Sequence, residues 1–309
     1  MQRIGPSRAI ARPVSGTRLF SSRASRGQHW IHPRFRGLPP PVIVIGMHRS
    51  GTSLVAGMLG ALGVYVGPEC GGASGPDFLA MARAGRLTGY AEASAFFRIN
   101  EQLLRLSRSS WCRVDPFLRR RTHPAWAQAA DLSLRSQTYS SLLRDFLQPL
   151  PEHYRGAWGW KDPRNSVTLP LWLRLFPEAR VVHVTRDSDA VVRSLHHRAR
   201  QWQSESVHQD SRMKLYPVDA LKTTARKLGL LAPLRPDPCL DPSYCRELCR
   251  VYEQECALAP EAGVAYLRVR YEEILDDPKE AAFRLAHFTG CSVEAQNIRE
   301  AGTLVLRER

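Results

Sequence analysis

The residues with the sharpest chemical meaning form one octapeptide, Gly46-Met-His-Arg-Ser-Gly-Thr-Ser53, directly after the apolar run Val42–Ile45. Backbone N–H groups of such a loop, with the N-terminus of a following helix, make a cradle for an anion. Thr52 and Ser53 add hydroxyl donors, and Arg49 adds a permanent positive charge. The spacing imitates the ATP-binding loop GxxxxGK[ST]. Thr52, however, stands in the lysine position, so the usual contact to the β- and γ-phosphates is missing. His48, Arg49, Ser50, Gly51, Thr52 and Ser53 are therefore the candidate anion ligands of this segment.

A second candidate follows the run Val181–Thr185, which ends at Arg186. Asp187 reads as a helix N-cap, so Ser194 returns to nearly the same helical face two turns later. An arginine at a strand's carboxyl end, with a serine on the next helix, can hold a second phosphate where parallel sheets bind their ligands. Alone the pair is a weak signal, because an arginine after a strand is commonly a solvated surface residue.

These side chains need an α/β frame to hold them. Val42–Ile45 is short, apolar and β-branched, the pattern of a strand buried on both faces. Residues 46–51 read as a loop and 52–62 as a buried helix ending near Gly63. Segments 93–106 and 124–147 carry apolar residues at helical spacing, and 157–160, 181–185 and 265–269 read as further strands. Helices are expected from Asp187, over 243–258 and over 278–288, the last between Asp277-Pro278 and Gly290. Residues 197–242 are polar and proline-broken, and read as loop and short helix over the active-site face. Strands alternating with helices predict a three-layer, P-loop-like α/β fold whose central, mostly parallel sheet is flanked by helices. Residues 41–309 are assigned to one such domain, after a basic extension over 1–40 without sustained periodicity.

Composition narrows the function. At 309 residues, 43% hydrophobic and 24% charged, the chain is ordinary for a soluble globular protein. Its net charge of +15 resembles a nucleic-acid signature, but eight arginines lie in residues 1–36 and the first acidic residue is Glu69. Without that tail the excess is +7, which suits a polyanionic cofactor, and no DNA- or RNA-reading motif is seen. The tail is Arg- and Ser-rich and poor in acid, as disordered extensions and organellar transit peptides are. A cytoplasmic location is expected, or an organellar one if residues 1–36 are such a peptide. The charge-free stretch 50–68 holds five glycines and does not read as a membrane span. Seven cysteines cannot all pair, which favours a reducing compartment. Four of them, Cys239, Cys245, Cys249 and Cys256, cluster without the spacing of a zinc knuckle and are expected to pack in the core, with no metal bound.

Taken together, the two phosphate motifs resemble the sulfotransferase family that uses 3′-phosphoadenosine 5′-phosphosulfate (PAPS). The octapeptide is similar to that family's 5′-phosphosulfate loop, and Arg186-Asp-Ser-Asp-Ala-Val-Val-Arg-Ser194 to its 3′-phosphate motif. Gly159-Trp-Lys-Asp-Pro-Arg164 and Arg270-Tyr-Glu-Glu-Ile-Leu-Asp-Asp-Pro278 also match segments of bacterial-type members. One departure is the absence of a C-terminal Lys-Gly-x-x-Gly loop; Leu306-Arg-Glu-Arg309 stands at that end instead.

The resemblance implies sulfuryl transfer from PAPS to a hydroxyl or amine of a small-molecule, lipid or glycan acceptor, without a metal. Arg49 stands where other members place a lysine, so it would stabilise the sulfuryl and bridging oxygen but cannot act as a general acid. Lys161 is a candidate for further charge near the leaving group, and Asp162 is expected to pair with an arginine. Glu92 resembles a glutamate found after the first helix and is the first candidate base, with Glu69 and His48 as alternatives. Glu92 also suits a plain helix N-terminal carboxylate, and His183, on an apolar strand, a satisfied core histidine. A P-loop kinase of a small metabolite is the competing reading, disfavoured by Thr52 and by the lack of a Walker B aspartate after an apolar strand.

Overall fold

All four residues of β1 (Val42–Ile45) are buried, and alternate side chains pack into two different cores. Ile43 and Ile45 join one hydrophobic cluster, Val42 and Val44 the other, which is the outcome of a strand covered on both faces. The computed structural model describes residues 35, 37–67, 92–134, 136–209, 236–291 and 294–304.

Beside β1 lie β2 (Gly159–Lys161), β3 (Arg180–Thr185) and β4 (Ala265–Arg270), in the order β2-β1-β3-β4, all parallel. One face is covered by α1 (Thr52–Ala61) and, later in the chain, by α9 (Tyr271–Asp276), α10 (Pro278–Thr289) and α11 (Ala295–Thr303). The other carries α2 (Ser94–Arg105), α3 (Asp115–Arg120), α4 (Pro124–Leu134), α5 (Gln137–Leu147), α6 (Asn165–Leu175), α7 (Ser188–Gln209) and α8 (Pro242–Ala257). Helix, sheet, helix: the three layers follow from the strand alternation.

Local chemistry sets the element ends. Asp241 accepts a bond from the Ser243 amide and Asp277 from the Glu280 amide, each with proline at the first helical position. Asp187 accepts from the Ala190 amide at 2.8 Å and so starts α7 as expected. The residue closing α10 is Gly290, at φ 74° in the left-handed region.

Two expectations need correction, and one further helix carries no sequence signal. The apolar pattern over 124–147 is two helices, because Ser136 leaves the helix and caps α5 through the Tyr139 amide. Residues 197–209 are not loop but the second half of α7, whose 22 residues continue past the apolar face that marks its start. Helix α6 lies in a stretch with prolines at 163, 170 and 177, where tertiary burial of nearly every residue overrides the interior Pro170.

Several buried polar side-chain atoms among the described residues lack a hydrogen-bond partner, and one nitrogen of His183 is among them. His183, 2% exposed, meets the Tyr266 hydroxyl through Nδ1 at 2.6 Å, but its Nε2 lies 3.7 Å from Glu253 with no hydrogen bond. Burial first, then Arg268, lowers its pKa to about 4, so it is neutral at physiological pH.

Arg121, just past α3, makes a two-pronged pair with Glu255 of α8, with Nη2 to Oε1 at 2.9 Å and both side chains almost fully buried. Burial raises the Glu255 pKa and Arg121 opposes it. Arg121→Met should destabilise the protein by roughly 3–5 kcal/mol in chemical denaturation, because Glu255 is left buried and uncompensated. Adding Glu255→Met should recover most of that loss; a double variant no better than the single one would mean that the pair acts through geometry instead.

Candidate active site

Turning the chain from β1 into α1 requires unusual backbone. Gly46 has φ 142°, Arg49 φ 72° and Gly51 φ 93°. A Cβ on Gly46 would meet the Val184 carbonyl at 2.4 Å, and one on Gly51 the Tyr271 ring at 2.3 Å. The loop is thus wedged between β3 and α9, and glycine is required at both ends. Its entrance is fixed by Ser166, whose hydroxyl accepts from the Gly46 amide at 3.0 Å and lies 3.2 Å from the Gly46 carbonyl. Ser50 turns its hydroxyl inward to the Met47 carbonyl at 2.7 Å.

The N-terminus of α1 has no side-chain cap and no acidic residue in its first turn. Positive helix-dipole charge there is left for an external anion. Arg49 and Arg186 add to it. Arg186 donates to the Arg49 carbonyl at 3.1 Å and lies over the Tyr271 ring at 4.3 Å, while Arg49 Nε donates to the Ser194 hydroxyl at 2.9 Å. The two motifs, 137 residues apart, therefore touch.

One cleft brings together His48, Arg49, Gly51, Thr52, Ser53, Glu92, Lys161 and Arg186, with Tyr271 and Arg198. Ser194 reaches it through Arg49, and Ser50 faces an adjoining pocket under Arg186. On the side opposite the loop lies a buried charge network. Lys161, 1% exposed, pairs with Glu92 at 3.1 Å. Arg164 reaches Asp162 at 3.0 Å, Glu101 at 2.8 Å and Glu92 at 3.6 Å, and lies over Phe97. Asp162 has found its arginine. Burial raises the Glu92 pKa, opposed chiefly by Lys161 and reinforced by Asp162. The carboxylate precedes α2, so the helix-end description holds for its position as well.

His48 is neutral. Burial first, then Arg164, Arg198, Lys161 and Arg49, depress its pKa well below the usual value, and its Nε2 has no hydrogen-bond partner among the described residues. Its ring lies 4.5 Å from that of Trp111.

Four contributors were not singled out from sequence. Arg164 and Tyr271 lay inside quoted motifs without a role, Arg198 follows Ser194 by one helical turn, and Trp111 carried no signal at all. The alternative base Glu69 and the C-terminal arginines 307 and 309 lie outside the described residues. Cys239, Cys245, Cys249 and Cys256 are all buried in the core, where burial pushes Cys249 up to about 12. Among the described residues no group of three or more His, Cys, Asp or Glu side chains is placed to hold a metal. No described helix is long and apolar enough to cross a membrane.

Comparison with known proteins gives one decisive match. A sulfotransferase family model covers residues 40–295. No curated protein sequence matches. Similar solved structures include sulfotransferase STF9 from Mycobacterium avium, 16% identical over 94% of this chain and 75% of that one, TM-score 0.46. The sulfotransferase domain of the Synechococcus PCC 7002 olefin synthase is 18% identical over 85% and 77%, TM-score 0.42. Sulfotransferase STF1 from Mycobacterium tuberculosis H37Rv is 14% identical over 86% and 71%, TM-score 0.45. Membership rests on the family match, which spans most of the chain: the protein belongs to the sulfotransferase family, whose sulfuryl donor is PAPS.

Proposed function

We propose that the cleft binds PAPS across its two cationic ends and passes the sulfuryl group to an acceptor hydroxyl or amine on a small molecule, lipid or glycan. One observation carries this reading: the glycine loop and Arg186 converge in a single cleft with the Lys161–Glu92 pair. The donor set fits a nucleotide phosphorylated at both ends. The uncapped α1 N-terminus with His48, Arg49, Ser50, Gly51, Thr52 and Ser53 suits the 5′-phosphosulfate, and Arg186 with Ser194 the 3′-phosphate.

When bound, PAPS supplies an activated sulfuryl group and a bisphosphate leaving group. Arg49 provides fixed positive charge at the reacting end and cannot donate its proton. Ser194 holds the Arg49 guanidinium in place, so the two phosphate sites are mechanically linked. Glu92 takes the acceptor proton, and Lys161 and Arg164 orient its carboxylate while keeping it ionised. Burial makes that carboxylate a stronger base than an exposed one. Neutral His48 borders the same space and is the remaining described candidate for proton transfer. Arg49, Lys161 and Arg186 together supply the positive charge, so transfer requires no divalent ion.

Adenosine 3′,5′-bisphosphate should raise the melting temperature clearly more than ADP, and by the same amount with EDTA present. Equal shifts for both nucleotides would revive the kinase reading, and a shift lost in EDTA would require a metal.

Binding and chemistry should separate by residue. Arg186→Ala should weaken bisphosphate affinity by about 2 kcal/mol or more, because charge-assisted bonds to a phosphate are lost. Glu92→Gln should leave calorimetric bisphosphate affinity nearly intact and lower turnover about a hundredfold. Glu92 must be ionised to act, and its pKa is raised above 4.5. Wild-type turnover should therefore fall with an acid limb above that value, absent in Glu92→Gln; full activity of the variant would move the base to Glu69 or His48.

A further inference from the structure

Arg198 lines the cleft, yet the donor site gives it no task. It sits on α7 four residues after Ser194, so the same helical face carries it about 6 Å further along, away from Arg186. Its guanidinium lies 4.6 Å from the Trp111 ring and 5.2 Å from the Trp202 ring. Trp111 in turn packs on His48. Two indoles thus hold a flat cation beside the loop.

That cation is chemically incomplete. Its Nη2 is buried without a hydrogen-bond partner among the described residues, and no described carboxylate pairs with it. A buried charged donor left unmade is costly. The surroundings worsen the case, since burial first and then the nearby cations Arg164, Arg198, Lys161 and Arg49 hold His48 neutral. Glu92, the carboxylate lining the cleft, is already engaged by Lys161 and Arg164.

We infer that the acceptor is itself an anion, a hydroxylated carboxylic acid in the simplest case, whose oxyanion is held by Arg198 while its hydroxyl faces Glu92. The guanidinium edge that faces the cleft can donate to a carboxylate oxygen, and the indoles fix its plane in advance, so little side-chain freedom is lost on binding. Trp202, 49% exposed and beside the same guanidinium, offers apolar surface for the body of such a molecule. The inference rests on the sulfotransferase reading and names the substrate class of that same site.

The test uses matched probes: 4-hydroxybenzoate, 4-hydroxyphenylacetate and ω-hydroxydodecanoate, each beside its methyl ester. Each is titrated calorimetrically into protein saturated with adenosine 3′,5′-bisphosphate, and offered as acceptor with labelled PAPS. The best acid should bind and turn over at least about tenfold better than its ester, the scale of a charge-assisted hydrogen bond. Arg198→Gln should shrink that gap to about threefold or less, and Arg198→Lys should restore part of it. In both variants bisphosphate affinity should stay within about twofold, which also reports an intact fold. Esters matching acids, no acid binding to the loaded protein, or an Arg198→Gln variant that loses bisphosphate affinity instead would overturn the inference. Failure of wild-type protein to bind the bisphosphate would be different, because it would remove the donor reading itself.

Discussion

Asp162 is completely buried, and withdrawing its charge from water is tolerable only because every side of it is answered. Arg164 donates to it through both its amide and its guanidinium, and Asn100 donates from α2. Asn100 is itself held by Thr168, Trp172 and Asn165, and Asn165 reaches the Val44 carbonyl of β1. Ser166, the next residue, fixes Gly46. The junction of β2 and α6 is therefore a single polar joint that positions both the phosphate loop and the Lys161–Glu92 pair. A half-satisfied version of it would be worse than an apolar one, which makes the joint all or nothing.

Sheet order places the remaining parts. The connection from β1 runs to β2 on one side, and β3 lies on the other, so the strand order reverses between β1 and β3. Crevices open at such a switch point, beyond the carboxyl ends of the strands. The loop after β1 and Arg186 after β3 flank this one. Tyr271, at the end of β4, closes the far wall by packing on Gly51 and under Arg186. Long α7 then carries Ser194 and Arg198 along the cleft in order.

How much was legible in the sequence varied with how local the cause was. β1, the loop and α1 could be read because β-branched burial, glycines at forced φ values and apolar helix residues are all signals within a dozen positions. Asp187, Asp277 and Gly290 marked helix ends for the same reason. Helix α6 was hidden, since its three flanking and interior prolines oppose a stability that comes from burial by distant elements. The full extent of α7 was hidden too, because polar residues past 196 give no apolar stripe. At the site, residues inside a motif were found, whereas Trp111 and Arg198 gain their meaning only from each other across the fold. His183 shows the limit of composition: an apolar strand implied a fully bonded histidine, and one of its nitrogens is not.

The central claim is that one nucleotide spans the loop and Arg186. A crystal structure with adenosine 3′,5′-bisphosphate tests it most directly. The account requires the 5′-phosphate against residues 46–53 and the 3′-phosphate within hydrogen-bond reach of Arg186 or Ser194, with Glu92 still paired to Lys161 beside the open end. A nucleotide bound with its second phosphate away from both Arg186 and Ser194 would contradict it.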